Sequence, residues 1–258
     1  MDEPKSLRLD GGHDHGARLQ AGTVWRRAAS WTPAVHDLLS HLAERGFTRA
    51  PRPLSIENEI EQVTYLEGQT VGHAMPWPSW THSETALRQV ARWLRDYHRV
   101  VADYRPPVDA PWREQHAALG PDVVIAHNDA APYNAVWNGA DALVGFIDWD
   151  MAGPRHRVDD LAWTAFSWVP LHARHVVEAE GFTAFDRRRD RLNQFLTSYG
   201  SALTAADIVS RLQTVIGEHL LLIRQRAEYD ETYQRMLDMG RDTDLRAAQE
   251  QLTQLLTD

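Results

Sequence analysis

Residues Val123 to Asp150 read VVIAHNDAAPYNAVWNGADALVGFIDWD. Val123, Val124 and Ile125 form a short apolar run that enters a polar loop, His127 to Asn134. Ala135, Val136 and Trp137 then read as a strand, with Asn138-Gly139 as the turn. Leu143, Val144, Phe146 and Ile147 make the return strand, which runs into Asp148. The expected product is a hairpin with polar residues at its corners: Asp129 and Asn134 at one, Asp148 at the other.

The spacing is H-x-D-x-x-x-x-N, followed by a strand ending in Asp. It is similar to the catalytic loop and the metal-binding Asp of protein-kinase-like phosphotransferases. Phosphoryl transfer needs a carboxylate that accepts or orients the acceptor hydroxyl. It also needs hard oxygen ligands for the magnesium that bridges the phosphates. Asp129 suits the first role as catalytic base, and Asn134 and Asp148 suit the second. His127 is expected to brace the loop rather than react. For Asp150, assistance to metal or substrate and a salt bridge or helix cap both stay open.

More narrowly, the chain resembles the aminoglycoside phosphotransferase family. His127 to Asn134, with Pro132 inside it, resembles that family's loop. Phe146-Ile147-Asp148-Trp149-Asp150 resembles its I-D-W-[DE] motif, and Arg157 to Ala162 its D-L-A segment. The resemblance is carried by residues 120–165, extends over about 9–105 and fades in the C-terminal third. It implies an α+β, bilobal, protein-kinase-like fold, with a small β-rich N-lobe holding one helix and a larger, mainly helical C-lobe. Residues 1–67 would bind nucleotide, and residues 68–258 would catalyse and bind substrate. It further implies ATP and Mg2+ as cofactors and a hydroxyl of a small molecule as acceptor, either an aminoglycoside-like antibiotic or a metabolite. A role in antibiotic resistance is one such outcome. Resemblance does not fix the acceptor.

The 258 residues suffice for two lobes around one cleft, and 43% apolar content is ordinary for a globular protein. With no cysteine there is no disulfide, no thiolate metal site and no cysteine nucleophile. No apolar run approaches the roughly 18 residues of a membrane span. MDEPKSLRLD lacks the layout of a signal peptide, so a cytoplasmic protein is expected. The net charge of −9 argues against a nucleic-acid partner and permits a cationic substrate, although solubility alone accounts for it. Oligomeric state is not readable.

Along the chain, Leu7 to Leu9, Ala17 to Leu19 and Thr23 to Arg27 read as strands. Between the first two, Gly11 and Gly12 open a glycine-rich loop. Such a loop can cover ATP phosphates with backbone N–H groups, or be an ordinary turn. His13 and His15 read as solvated loop histidines. Lys5 is the only lysine and precedes this loop, so no lysine can serve on the third strand. Of the two arginines there, Arg26 is the candidate phosphate clamp, against a plain solvated arginine.

Thr32 reads as an N-cap with Pro33 at the first helical position, and Gly46 as the stop. This helix offers no clear glutamate to pair with the strand cation. Strands are expected near Leu54–Ile56 and Ile60–Leu66. Thr64 to Gly68, which overlaps the end of the second and holds Tyr65 and Glu67, resembles the hinge whose backbone binds adenine. Thr81 and Glu84 read as a capping box before a core helix with Leu87, Val90, Leu94, His98 and Val101 on one face. Asp160 reads as a cap or as a buried structural carboxylate. Thr204 and Asp207 open a helix that buries Ile208, Leu212, Val215 and Ile216. A different class of function fits the missing lysine: a nucleotide-binding pseudokinase acting as a regulatory or immunity protein. The intact Asp129, Asn134 and Asp148 argue against it.

Overall fold

The computed structural model describes residues 7–9, 16–72, 75–139 and 141–255. The chain forms two compact units, Met1–Ala74 with Trp93–Arg157, and Met75–Arg92 with Val158–Asp258. The first carries a five-stranded antiparallel sheet. Its strands are β1 (Leu7–Arg8), β2 (Arg18–Gln20), β3 (Thr23–Arg27), β4 (Pro53–Glu57) and β5 (Ile60–Thr64), in the order β1-β2-β3-β5-β4. Two-residue turns close both tight hairpins. Ala21 and Gly22 have φ of 50° and 76°, and Asn58 and Glu59 have 51° and 62°. These positive values are what short hairpins with right-twisted strands require. The β5 strand stops at Thr64, short of the expected Leu66, and leaves Tyr65 to bond across to Gly22.

Helix α1 (Thr32–Glu44) buries Val35, Leu38, Leu39 and Leu42, one apolar stripe at helical spacing. Its end follows the glycine rule. Gly46 sits at φ 74°, its N–H reaches Ala43 O, and Phe47 N–H reaches Leu42 O. Its start differs from expectation. The N-cap is Trp31, without a side-chain cap, and Thr32 is the first helical residue. The Thr32 hydroxyl turns back instead to accept from Ala29 N–H at 2.9 Å. Helix α2 (Glu84–Val100) also starts differently. Thr81 lies in a 3-10 turn, and Ser83 Oγ accepts from Ala86 N–H. Ser83 does what Thr81 was expected to do, because the turn places it three residues before a helical N–H. The expected apolar face is buried throughout: Leu87, Val90, Leu94 and His98 are at most 1% exposed.

The second half of α2 packs within the first unit against the remaining strands, β6 (Val123–Ala126), β7 (Ala135–Asn138), β8 (Ala142–Phe146) and β9 (Gly153–His156). The β7–β8 hairpin is the one expected, and β6 pairs with β9. Trp93, Tyr97, Trp137, Phe146 and Trp149 are essentially fully buried there. Trp93 stacks on Tyr97 at 5.3 Å and tilts against Phe146 at 4.3 Å. Three of these rings place their polar handle on a carbonyl: Tyr97 OH donates to Ile125 O, Trp93 Nε1 to Arg49 O and Trp149 Nε1 to Phe146 O. This rigid aromatic floor lies directly under the His127–Asn134 loop. Close backbone approach fixes the other side. Gln69 and Trp137 exchange two hydrogen bonds, and a Cβ on Gly68 would lie 2.6 Å from Trp137 O. Only glycine fits, so the stretch after β5 is tied onto β7.

The second unit is helical, built from the first half of α2 with α3 (Arg157–Trp168), α4 (Arg174–Ala179), α5 (Arg188–Tyr199), α6 (Ala205–Arg226), α7 (Glu231–Asp238) and α8 (Arg241–Gln254). Helix α6 is its spine. It opens on the expected Thr204–Asp207 capping box and buries Ile208, Leu212, Val215, Ile216, Leu220 and Ile223. Against it, Gln213 and Gln249 donate to each other's backbone carbonyls at 2.8 and 2.7 Å. Asp159 holds Arg211 through both carboxylate oxygens. Asp160 is no cap: α3 begins at Arg157, and Asp160 is a buried residue of its first turn. No helix among the described residues is long and apolar enough to cross a membrane.

Candidate active site

The loop between β6 and β7 hangs from two anchors. His127 is fully buried. Its Nδ1 accepts from Asp129 N–H at 3.3 Å, so its proton sits on Nε2, which donates to Ile147 O at 3.1 Å. His127 therefore braces the loop on the far strand and packs on Trp149 at 4.4 Å. Asn128 is the second anchor. It takes a left-handed φ of 64°, donates to Met151 O and Gly153 O, and accepts from Arg155 Nη1. Asparagine tolerates that backbone region better than most residues. The sequence reading passed over Asn128, since nothing local marks a position that bonds 23 residues away.

With the loop pinned, Asp129 is half-buried at its tip. Tyr133 OH donates to Asp129 Oδ1 at 2.7 Å, and Asn134 Nδ2 donates to Oδ2 at 2.8 Å and to the Asp129 carbonyl at 3.0 Å. Because Asn134 Nδ2 serves two acceptors, its amide orientation is fixed, and Oδ1 is the atom that could ligate a metal. Burial pushes Asp129 up to about 7; Asp148 pushes the same way, and the Tyr133 and Asn134 hydrogen bonds only partly offset this.

Ile147 N–H bonds Asn134 O at 2.9 Å, which sets Asn134 beside the turn that carries Asp148. Asp148 itself adopts φ 59°, ψ 71°. A left-handed non-glycine residue is costly, and such strain concentrates at functional sites. Partial burial, followed by the neighbouring Asp150 carboxylate, holds the Asp148 carboxyl above the ordinary range. The donor set fits Mg2+, which takes one or two carboxylates plus substrate phosphates and waters. Among the described residues no group of three or more His, Cys, Asp or Glu has a metal-holding arrangement.

Arg26 is drawn into the same site. It lies opposite Glu61 in the β3–β5 register, on one face of the sheet. Its Nε bonds Glu61 Oε2, its Nη2 meets Asp150 Oδ1 at 2.5 Å, and its Nη1 lies 3.7 Å from Asp148 Oδ1. Glu61 is 1% exposed and also bonds His36 Nε2 on α1 at 3.0 Å. Burial alone would raise the Glu61 carboxyl; His36 and Arg26 hold it below the usual range. The glutamate missing from α1 is thus supplied by β5, and α1 contributes a histidine. Asp150 makes a salt bridge with the strand arginine. Arg27 points to the other face, 67% exposed beside Glu59.

Asp129, Asn134, Asp148 and Arg26 come together within the first unit. Gly11 and Gly12 lie outside the described residues, as do His13 and His15. Tyr65 and Glu67 follow β5 as expected, but the Tyr65 N–H is already committed to Gly22 O at 3.0 Å. Glu67 is exposed.

The sequence model of the phosphotransferase enzyme family (APH) matches residues 108–193, a span that includes the loop, the hairpin and Asp148. The chain is 32% identical over 197 residues to the trifolitoxin immunity protein of Rhizobium leguminosarum bv. trifolii, covering 74% of this chain and 73% of that protein. Solved structures share the fold at low identity. An amicoumacin kinase in complex with AMP-PNP, Ca2+ and its ligand aligns with a TM-score of 0.65 at 11% identity, over 95% of this chain and 88% of that one. A macrolide 2'-phosphotransferase from Brachybacterium faecium aligns with a TM-score of 0.58 at 14% identity, over 96% and 91%.

Proposed function

Since the chain belongs to the phosphotransferase enzyme family and has its kinase-like fold, we propose that it moves the γ-phosphoryl group of ATP to a hydroxyl of a small molecule. The observation that carries the reading is Asp129 held by Tyr133 and Asn134 beside the strained Asp148. Asp129 takes the acceptor proton, and Asn134 Oδ1 and Asp148 hold Mg2+. When bound, Mg2+ neutralises phosphate charge and favours the ionised form of nearby carboxylates. Arg26 supplies the second positive group at the phosphates in place of the strand lysine. Gly11 and Gly12 cover the phosphates, and the backbone around Tyr65 and Glu67 receives adenine. Because the Tyr65 amide is engaged, the contact falls on the residues after it. The division into residues 1–67 for nucleotide and 68–258 for catalysis and substrate belongs to this proposal, as does a cytoplasmic setting.

The acceptor class is an aminoglycoside-like antibiotic or a hydroxylated metabolite. The net charge of −9 suits a cationic compound. A second reading is favoured by one finding, the relative named an immunity protein: a nucleotide-binding protein that protects or regulates without phosphoryl transfer. ADP release from Mg-ATP across hydroxyl-bearing antibiotics, amino sugars and amino alcohols separates the two. A compound that accelerates ADP release and gains a phosphate supports the transferase. Tight Mg-ATP binding with no stimulated release by any acceptor, and protection of cells that persists in Asp129→Asn, supports the immunity reading instead.

A further inference from the structure

Tyr133 stands four residues after Asp129, yet its phenol returns to the carboxylate and donates to Oδ1 at 2.7 Å. With Asn134 Nδ2 on Oδ2, both oxygens of Asp129 carry a donor. The Asn134 contact suits a permanent role, because that side chain is buried and the loop depends on it. Tyr133 differs. It is 47% exposed, while its neighbours Pro132 and Asn134 are buried and Asn134 N–H is tied to Ala131 O. The ring therefore borders solvent, on a 3-10 turn that is held independently of it. A phenol O–H offered to Asp129 is the same chemistry as an alcohol O–H offered to it. Resting on the assignment of Asp129 as base, we infer that the Tyr133 hydroxyl holds the place of the acceptor hydroxyl. The acceptor site then opens where Tyr133 lets go.

Water is the simplest acceptor, so the test needs no identified substrate. Hydrolysis of Mg-ATP is measured for the wild type and Tyr133→Phe side by side in the same buffer. Phenylalanine keeps the ring and removes the competing donor, whose hold on a charged acceptor corresponds to about tenfold. The expected result is a rise of about tenfold in the maximal rate with the ATP half-saturation unchanged, a gain that structural damage would not produce. An unchanged or lower rate overturns the inference. So does phosphotyrosine at position 133 in wild-type protein incubated with Mg-ATP, which would make Tyr133 an acceptor rather than a placeholder. Mg-ATP binding to both proteins is followed in parallel by thermal shift. Binding without the gain removes this inference alone; absence of binding in the wild type removes the kinase reading and this inference with it.

Discussion

Asp129→Asn is expected to lower phosphoryl transfer by about 10²–10⁴-fold, the range of a general base, with Mg-ATP binding retained. The substitution suits the site. Asparagine keeps the volume, its carbonyl oxygen still accepts from Asn134 Nδ2, and its amide can donate to the Tyr133 oxygen. The loop anchors at His127 and Asn128 are untouched. A stability signature accompanies the loss. The Asp129 carboxyl is raised in the folded state from its ordinary 3.8 to about 7. Its favourable contribution is therefore complete below the unfolded value and lost as pH rises through 7. The metal-free wild type should weaken across that window relative to Asp129→Asn, which does not titrate. Measured turnover of the variant equal to the wild type would remove Asp129 from the mechanism.

Arg26 is expected to show the second large effect, and a double variant separates its two roles. Arg26→Ala leaves Glu61, at 1% exposed, with His36 as its remaining side-chain partner among the described residues, and also releases Asp150. Removing one member of a buried pair costs about 3–5 kcal/mol, read as a fall in melting temperature. Combining Arg26→Met with Glu61→Leu removes both charges, a replacement that is often neutral for stability. The double variant should regain most of the lost stability and still bind Mg-ATP more weakly than wild type, by about 1.5–3 kcal/mol if the guanidinium grips phosphate oxygens. A stable double variant with wild-type affinity would make Arg26 a structural tie between β3, β5 and Asp150 and nothing more.

What was readable in the sequence shares one property: its cause is local. Thr23–Arg27 forms the expected strand, Gly46 ends its helix in a left-handed conformation, and Thr204 with Asp207 caps α6 within four residues. The candidate set Asp129, Asn134 and Asp148 stood out as a motif because phosphoryl-transfer loops use a fixed spacing. The partners of that set did not. Glu61 meets Arg26 only through the β3–β5 register, a pairing 35 residues apart. Asp150 reaches Arg26 across 124 residues. Thr32 and Thr81 carry good capping side chains, but the Thr32 hydroxyl turns back to Ala29 N–H, Thr81 is buried within a 3-10 turn, and Trp31 and Ser83 took the cap positions. Helix α7 escaped notice because it has 8 residues, shorter than the window over which a helical period is read.

Magnesium-dependent ATP binding to the wild type and to Asp148→Ala, compared by calorimetry with and without chelator, tests the central claim most directly. In the proposed site Asp148 is the carboxylate that would hold the metal, and it adopts a costly left-handed backbone conformation. The account predicts that magnesium strengthens ATP binding in the wild type, that Asp148→Ala abolishes this magnesium dependence, and that Asn134→Ala weakens it to a lesser degree. An equal magnesium dependence in all three proteins would contradict it and place the metal elsewhere.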